Sequence, residues 1–262
     1  FAFLGHEASH RQVFASGRAN DRLGRVVATF FVGISYAWWM TKHNRHHGNP
    51  NQVGRDPDIA PGWVAFTDDD AAVSTGFNGW MTRRQGWLFF PLLTLVGLDL
   101  HQASIARLFR RGKLEGRAQE LLWLSLRFTI YLGAVFWLLP VGMAFAFLGV
   151  QMAVFGCYMG LSFSPNHIGM PIVPHGVKLD FLDKQVMTSR NVSGGWVATA
   201  LMGGLNYQIE HHLFPGMPRP HLAKARRLVR EHCRRHAIPY AAHNFVEAMA
   251  IAGGTDQEIA DF

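Results

Sequence analysis

Read as helix, Gln208-Ile209-Glu210-His211-His212 sets Gln208, His211 and His212 at i, i+3 and i+4, so three nitrogen- or oxygen-bearing side chains project from one face. Far upstream, His43, His46 and His47 repeat that spacing with histidine at every position, and His6 and His10 stand at i and i+4. Imidazole is the usual neutral ligand for iron, zinc or copper, and two metals would need roughly this many side chains. The clusters hold seven of the chain's 14 histidines at helical spacing, which makes chance the weaker explanation.

His6-Glu7-Ala8-Ser9-His10 also matches H-E-x-x-H, the zinc-protease pattern in which two histidines hold the metal and the glutamate is general base. The continuation RQVFASGRAN lacks the further histidine of a metzincin, leaving a residue such as Asp99 as third ligand. A membrane zinc protease built this way gives no role to His43, His46, His47, His211 or His212.

The elements that must position these residues are apolar. The 262 residues are 49% hydrophobic, in long runs set off by basic loops, which predicts one membrane-embedded helical domain over 1–262 rather than two soluble ones. The formal charge of +7 comes from arginines beside apolar segments, which fits an anionic membrane surface and not nucleic acid. Cys157 and Cys233 supply neither a disulfide framework nor a Cys-x-x-Cys site. The opening FAFLG reads as the end of an apolar segment, so an N-terminal part, such as a membrane hairpin, is expected to be missing.

Spans are expected at 119–139 and 141–163, joined by a tight turn at Leu139-Pro140-Val141-Gly142. The basic loop of Arg107, Arg110, Arg111, Lys113 and Arg117 places the open end of that hairpin in the cytoplasm. Residues 87–101, interrupted by Pro91 and Asp99, read as a helix lying along the interface, with His101 structural. Asp56 and Asp58 read as a solvated turn, and Asp68-Asp69-Asp70 as a solvated loop. Residues 219–236 read as a basic amphipathic helix, with Leu222, Ala225, Leu228, Val229 and Cys233 opposite Lys224, Arg226, Arg227, Arg230 and Arg234. Such a face can dock an acidic electron-transfer protein, contact anionic lipid or simply be solvated.

The three clusters resemble the histidine boxes of the integral-membrane fatty acid desaturases. The likeness extends to LFFPLLTL at 88–95, SPNHIGMP at 164–171, QVMTSRNV at 185–192 and GGLNYQIEHHLFP at 203–215, nearly the whole chain. A glutamine opening the third box is similar to the bacterial acyl desaturases and the front-end subgroup. The resemblance implies an all-α integral membrane fold whose cytoplasmic helical cap holds two irons, in the cell membrane if the protein is bacterial. It implies His6, His10, His43, His46, His47, His211 and His212 as ligands, and His167 as a further one. Asn166 would contribute through water, and Gln208 directly or through water. Glu7 and Glu210, adjacent to ligands, are expected to fix imidazole tautomers.

If residues 23–40 crossed the membrane, the first and second boxes would lie on opposite faces, so the resemblance also implies a re-entrant or interfacial segment there. The implied chemistry is oxygen-dependent removal of two hydrogens from adjacent carbons of a fatty acyl-CoA or acyl-lipid, with O2 as co-substrate and two external electrons. The sequence carries no His-Pro-Gly-Gly haem motif, cysteine cluster or G-x-G-x-x-G fingerprint, so a separate ferredoxin or cytochrome b5-type donor with its reductase is implied. A related di-iron membrane hydroxylase would use the same boxes, and a non-catalytic scaffold with histidine-bound zinc would share the spans.

Overall fold

In the computed structural model, which describes residues 1–254, the chain is mostly helical, with very little strand. In order come α1 (Ala2–Ser9), α2 (Gly17–Arg25) continued by a π-helical stretch (Val26–Val32), α3 (Tyr36–Gly48), α4 (Asp68–Val73) and α5 (Gly76–Thr82). The long helices α6 (Gln85–Phe109), α7 (Arg117–Leu138) and α8 (Val141–His167) follow. The remainder is α9 (Phe181–Met187), β1 (Arg190–Ser193), α10 (Gly195–Leu201), α11 (Gln208–Leu213), α12 (Arg219–Arg235), β2 (Ala241–Asn244) and α13 (Phe245–Ala252).

Among the described residues, α6, α7 and α8 are each long and apolar enough to cross a membrane, with mean hydropathy of 1.4, 1.6 and 1.7 over their best windows. Leu126, Ile130, Trp137, Phe145, Val150 and Val154 stand exposed on α7 and α8, a surface suited to lipid rather than water. This is a helical membrane protein. The interfacial helix expected at 87–101 is instead part of the 25-residue α6, which carries His101 well inside it. Pro91 removes only one backbone hydrogen bond, and the helix runs on through it. The acidic run Asp68-Asp69-Asp70 is not loop either: it opens α4, where Thr67 accepts the Asp70 N–H and the carboxylates meet the helix N-terminus.

The chain folds as two compact units, residues 1–43 with 93–159, and residues 44–92 with the described residues from 160 on. In the first, the apolar stretch expected to be re-entrant or interfacial does not run straight. Gly17–Val32 and Tyr36–Gly48 meet at 111°. Gly33 makes the corner with φ of 95°, and a Cβ there would sit 2.8 Å from the Arg127 guanidinium. The corner is held from α7: the Glu120 carboxylate accepts the Ser35 hydroxyl and the Ala37 N–H (3.0 Å), with Arg25 at 3.5 Å. An anion is thereby fixed at the N-terminus of α3, the helix that leads to His43.

Helices α6 and α8 touch backbone to backbone through two glycines. A Cβ on Gly156 would lie 2.6 Å from the Leu93 carbonyl oxygen, and one on Gly97 would lie 2.7 Å from that of Met152. Small residues permit such contact between membrane helices. Gly156→Ala must therefore push the helices apart, and the thermal midpoint in detergent should fall by the equivalent of about 1–3 kcal/mol. An unchanged midpoint would contradict this packing.

In the second unit, Val186 of α9, Ile209 and Leu213 of α11, and Val229 and Cys233 of α12 form a buried apolar cluster. β1 and β2 pair in parallel from Arg190↔Ala241 to Ser193↔Asn244. Asn244 then caps α13 in a reciprocal capping box with Glu247.

Candidate metal centre

In the first unit, His6 and His10 come from α1 and its C-terminal cap, and His43 from α3. Each pair of rings lies 4.8 Å apart between centroids, and His10 Nε2 is 2.7 Å from His43 Nε2. Trp39, one turn before His43, stacks on its ring at 4.7 Å and fixes its plane. Burial pushes the His10 imidazole down to about 4, so it is neutral and able to donate a lone pair at neutral pH.

In the second unit, one donor nitrogen from each of His46, His167 and His212 lies within 4.8 Å of the others. Their tautomers follow from what the opposite ring nitrogens touch. His46 Nδ1 is 3.0 and 3.1 Å from the Asp56 carboxylate oxygens, and His167 Nδ1 is 2.9 Å from the Thr188 carbonyl oxygen. His212 Nδ1 is 2.9 Å from Gln185 Oε1, whose amide is oriented because its Nε2 donates to the His47 carbonyl. Each partner atom only accepts, so each Nδ1 carries a proton and Nε2 is the ring nitrogen left to act as a ligand.

These nitrogens converge. His46 Nε2 faces His167 Nε2 at 3.3 Å, and His212 Nε2 is buried with no hydrogen-bond partner among the described residues. Three imidazole nitrogens that close on one point suit a borderline divalent metal. Burial, reinforced by His47 and then His167, holds the His212 imidazole well below its usual range and keeps it a donor. The donor set thus fits a metal. His47 and His211 lie beside it, His47 stacked on His212 at 4.2 Å and 4.8 Å from His211.

Asp56 was expected in a solvated turn, and here the structure differs. It is 3% exposed and, besides gripping His46, accepts the N–H groups of Asn51 and Asp58. Asp58, expected in the same turn, is largely exposed, with Oδ2 3.2 Å from His46 Nδ1. Glu210 was expected to fix an imidazole tautomer. Its carboxylate instead accepts from Asn191 Nδ2 and the Tyr240 hydroxyl, each at 2.7 Å, while Asn191 Oδ1 takes the Ile209 N–H. Glu210 therefore ties α11 to β1 and the chain before β2, with burial raising its carboxyl and those two hydrogen bonds opposing the rise. Glu7 lies half-buried on α1 between His6 and His10.

Gln208 donates to His167 Nε2 at 2.9 Å, and its Oε1 accepts from Asn166 Nδ2 at 3.3 Å. Asn166, wholly buried at the end of α8, also donates to the Ser162 carbonyl. Arg190 donates to the carbonyls of Pro165 and Ile168, gripping the chain on both sides of His167. Burial pushes its guanidinium down only to about 10, so it stays charged. The oxygens that set the tautomers come from Asp56, Gln185 and Thr188, none of which carries a box spacing. Gln185 and Thr188 do lie in the desaturase-like run QVMTSRNV at 185–192, and Asp56 is an acid ten residues beyond His46. Because a carboxylate raises the basicity of the imidazole it holds, Asp56→Asn should weaken metal binding about 10- to 100-fold in chelator competition. Unchanged affinity would remove Asp56 from the site.

Fold and site together define a helical membrane protein with clustered imidazoles suited to metal, His10, His167 and His212 among them held neutral by burial. Residues 1–244 match the family model described as fatty acid desaturase, and the chain belongs to that family. It is 31% identical to the acyl-lipid (9-3)-desaturase of Borago officinalis, over 94% of this chain and 58% of that protein. It is 28% identical to the Delta(8)-fatty-acid desaturase 2 of Arabidopsis thaliana, over 94% and 58%. The Delta(6)-fatty-acid desaturase fat-3 of Caenorhabditis elegans is 27% identical, over 96% of this chain and 60% of that protein. The chain thus spans somewhat under two thirds of the length of these relatives.

Proposed function

We propose that the protein is an oxygen-dependent membrane fatty acyl desaturase, with two irons held by His6, His10, His43, His46, His47, His167, His211 and His212. The observation that carries this reading is the approach of His46 Nε2 and His167 Nε2 to 3.3 Å while both opposite ring nitrogens face acceptor oxygens. Family membership adds the names of the relatives, all desaturases acting on acyl chains or sphingolipids. Iron bound here would supply what no side chain can, the activation of dioxygen needed to break an unactivated C–H bond.

The chain's own residues do the holding and orienting. Asp56, Thr188 and Gln185 aim three imidazoles, Arg190 and Asn166 fix the turn that presents His167, and Glu210 anchors α11 beneath His211 and His212. α7 and α8 serve as a membrane hairpin, with the basic segment from Arg107 to Arg117 and the end of α8 on the cytoplasmic side. The substrate is a fatty acyl-CoA or acyl-lipid, and the electrons come from a separate ferredoxin or cytochrome b5-type protein.

The test is to express the full-length protein in a host fed saturated fatty acids and analyse fatty acid methyl esters by mass spectrometry. A new double bond supports the reading. A hydroxylated chain with no alkene assigns the protein to hydroxylation, and unaltered fatty acids with metal fully loaded and electrons supplied reject both.

A further inference from the structure

Removing two hydrogens from adjacent methylenes releases two electrons and two protons, while reducing one O2 to two waters consumes four of each. Two electrons and two protons must therefore enter from outside at every turnover. We propose that the outer face of α12 is the docking surface for an acidic one-electron carrier protein that delivers those electrons. The inference rests on the desaturase reading given above.

The inner side of α12 is spoken for. Leu222, Ala225, Val229 and Cys233 are buried, and Val229 and Cys233 pack on Ile209 and Leu213 of α11. Leu228, expected on that same apolar face, is 67% exposed instead. The same outer side carries the exposed Lys224, Arg227 and Arg230, with Arg234 and Arg235 paired to Glu231 at 2.9 and 2.7 Å. One exposed leucine beside a row of cations is the composition of a protein contact with a small apolar part and a charged rim. A helix lying in a membrane surface needs its whole apolar face for lipid, and α12 has committed that face to its own core. Charge complementarity then selects an acidic partner. The placement also shortens the electron's path, because α11 carries His211 and His212 and packed helix axes lie only about 8–10 Å apart.

The experiment uses the full-length protein in nanodiscs of neutral phosphatidylcholine, as wild type and as Lys224→Glu/Arg227→Glu/Arg230→Glu. Turnover is driven by an acidic [2Fe–2S] ferredoxin or an acidic cytochrome b5, each with its reductase, at low salt. In parallel, dithionite-reduced protein is given O2 for one turnover, a route that needs no docking. In the variant, the KM for the carrier should rise by about tenfold or more and lose most of its salt dependence. Product from the chemically reduced protein should be unchanged. The milder Lys224→Gln/Arg227→Gln/Arg230→Gln should shift KM in the same direction by a smaller factor.

An unchanged KM overturns the proposal, as does a wild type that accepts neither acidic carrier yet makes product after dithionite. Loss of binding to phosphatidylserine vesicles with KM retained assigns the face to lipid and also overturns it. If dithionite-reduced wild type makes no product, the desaturase reading itself fails, and the docking surface falls with it.

Discussion

His46→Ala is expected to cut desaturated product to below about 1% of wild type, a larger effect than the 10- to 100-fold typical of residues that only orient a metal ligand. His46 is the imidazole on which the arrangement of the second unit turns. Its Nδ1 lies 3.0 Å from the Asp56 carboxylate, and its Nε2 faces that of His167 at 3.3 Å. Alanine removes one donor and leaves the buried Asp56 carboxylate without its imidazole partner. Bound metal should drop by about one per chain, because the histidines of the first unit keep their mutual geometry. His175→Ala, at an exposed histidine outside every cluster, should retain full activity. Product from His46→Ala at more than a tenth of wild type would take His46 out of the centre.

Glu120→Ala should cost the fold about 3–5 kcal/mol, the usual penalty for breaking a buried charged pair by removing one partner. Glu120 is wholly buried, accepts from the Ser35 hydroxyl and the Ala37 N–H, and lies 3.5 Å from the Arg25 guanidinium. Without it, the turn after Gly33 loses what holds the first residues of α3 in place. The thermal midpoint in detergent should fall by roughly 10 °C. Glu120→Gln, which keeps an acceptor for the Ala37 N–H, should lose clearly less. Equal losses in the two variants would mean that the carboxylate's shape and charge do not set this corner.

Much of the centre was legible because helical spacing writes a face directly into the chain. His43, His46 and His47, like Gln208, His211 and His212, are neighbours by geometry alone, and the run around Ser164-Pro165-Asn166-His167 marked His167. What was not legible arrives through tertiary packing. Asp56 sits in a Gly- and Pro-rich stretch that reads as solvated, yet the fold buries it under His46. Glu210 directly precedes His211 and His212, but helical geometry turns it away from them toward Asn191 and Tyr240.

Longer elements show the same division. The apolar run before Gly33 looks like part of a single segment, while its 111° corner depends on a glutamate 85 residues away. The bounds of α6 escaped the pattern because Pro91 was weighed as a breaker, and a contact at Gly97 and Gly156 has no sequence period. On α12 the apolar residues were correctly grouped except Leu228, since which leucine is buried is decided by where α11 lies.

The most direct measurement is metal content per chain of the full-length protein, purified in detergent without added metal. About two irons per chain are expected if the clustered imidazoles of both units are occupied. A single zinc, lost on replacing His6 or His10 but kept in His46→Ala, would contradict the di-iron centre and return the protein to the H-E-x-x-H reading.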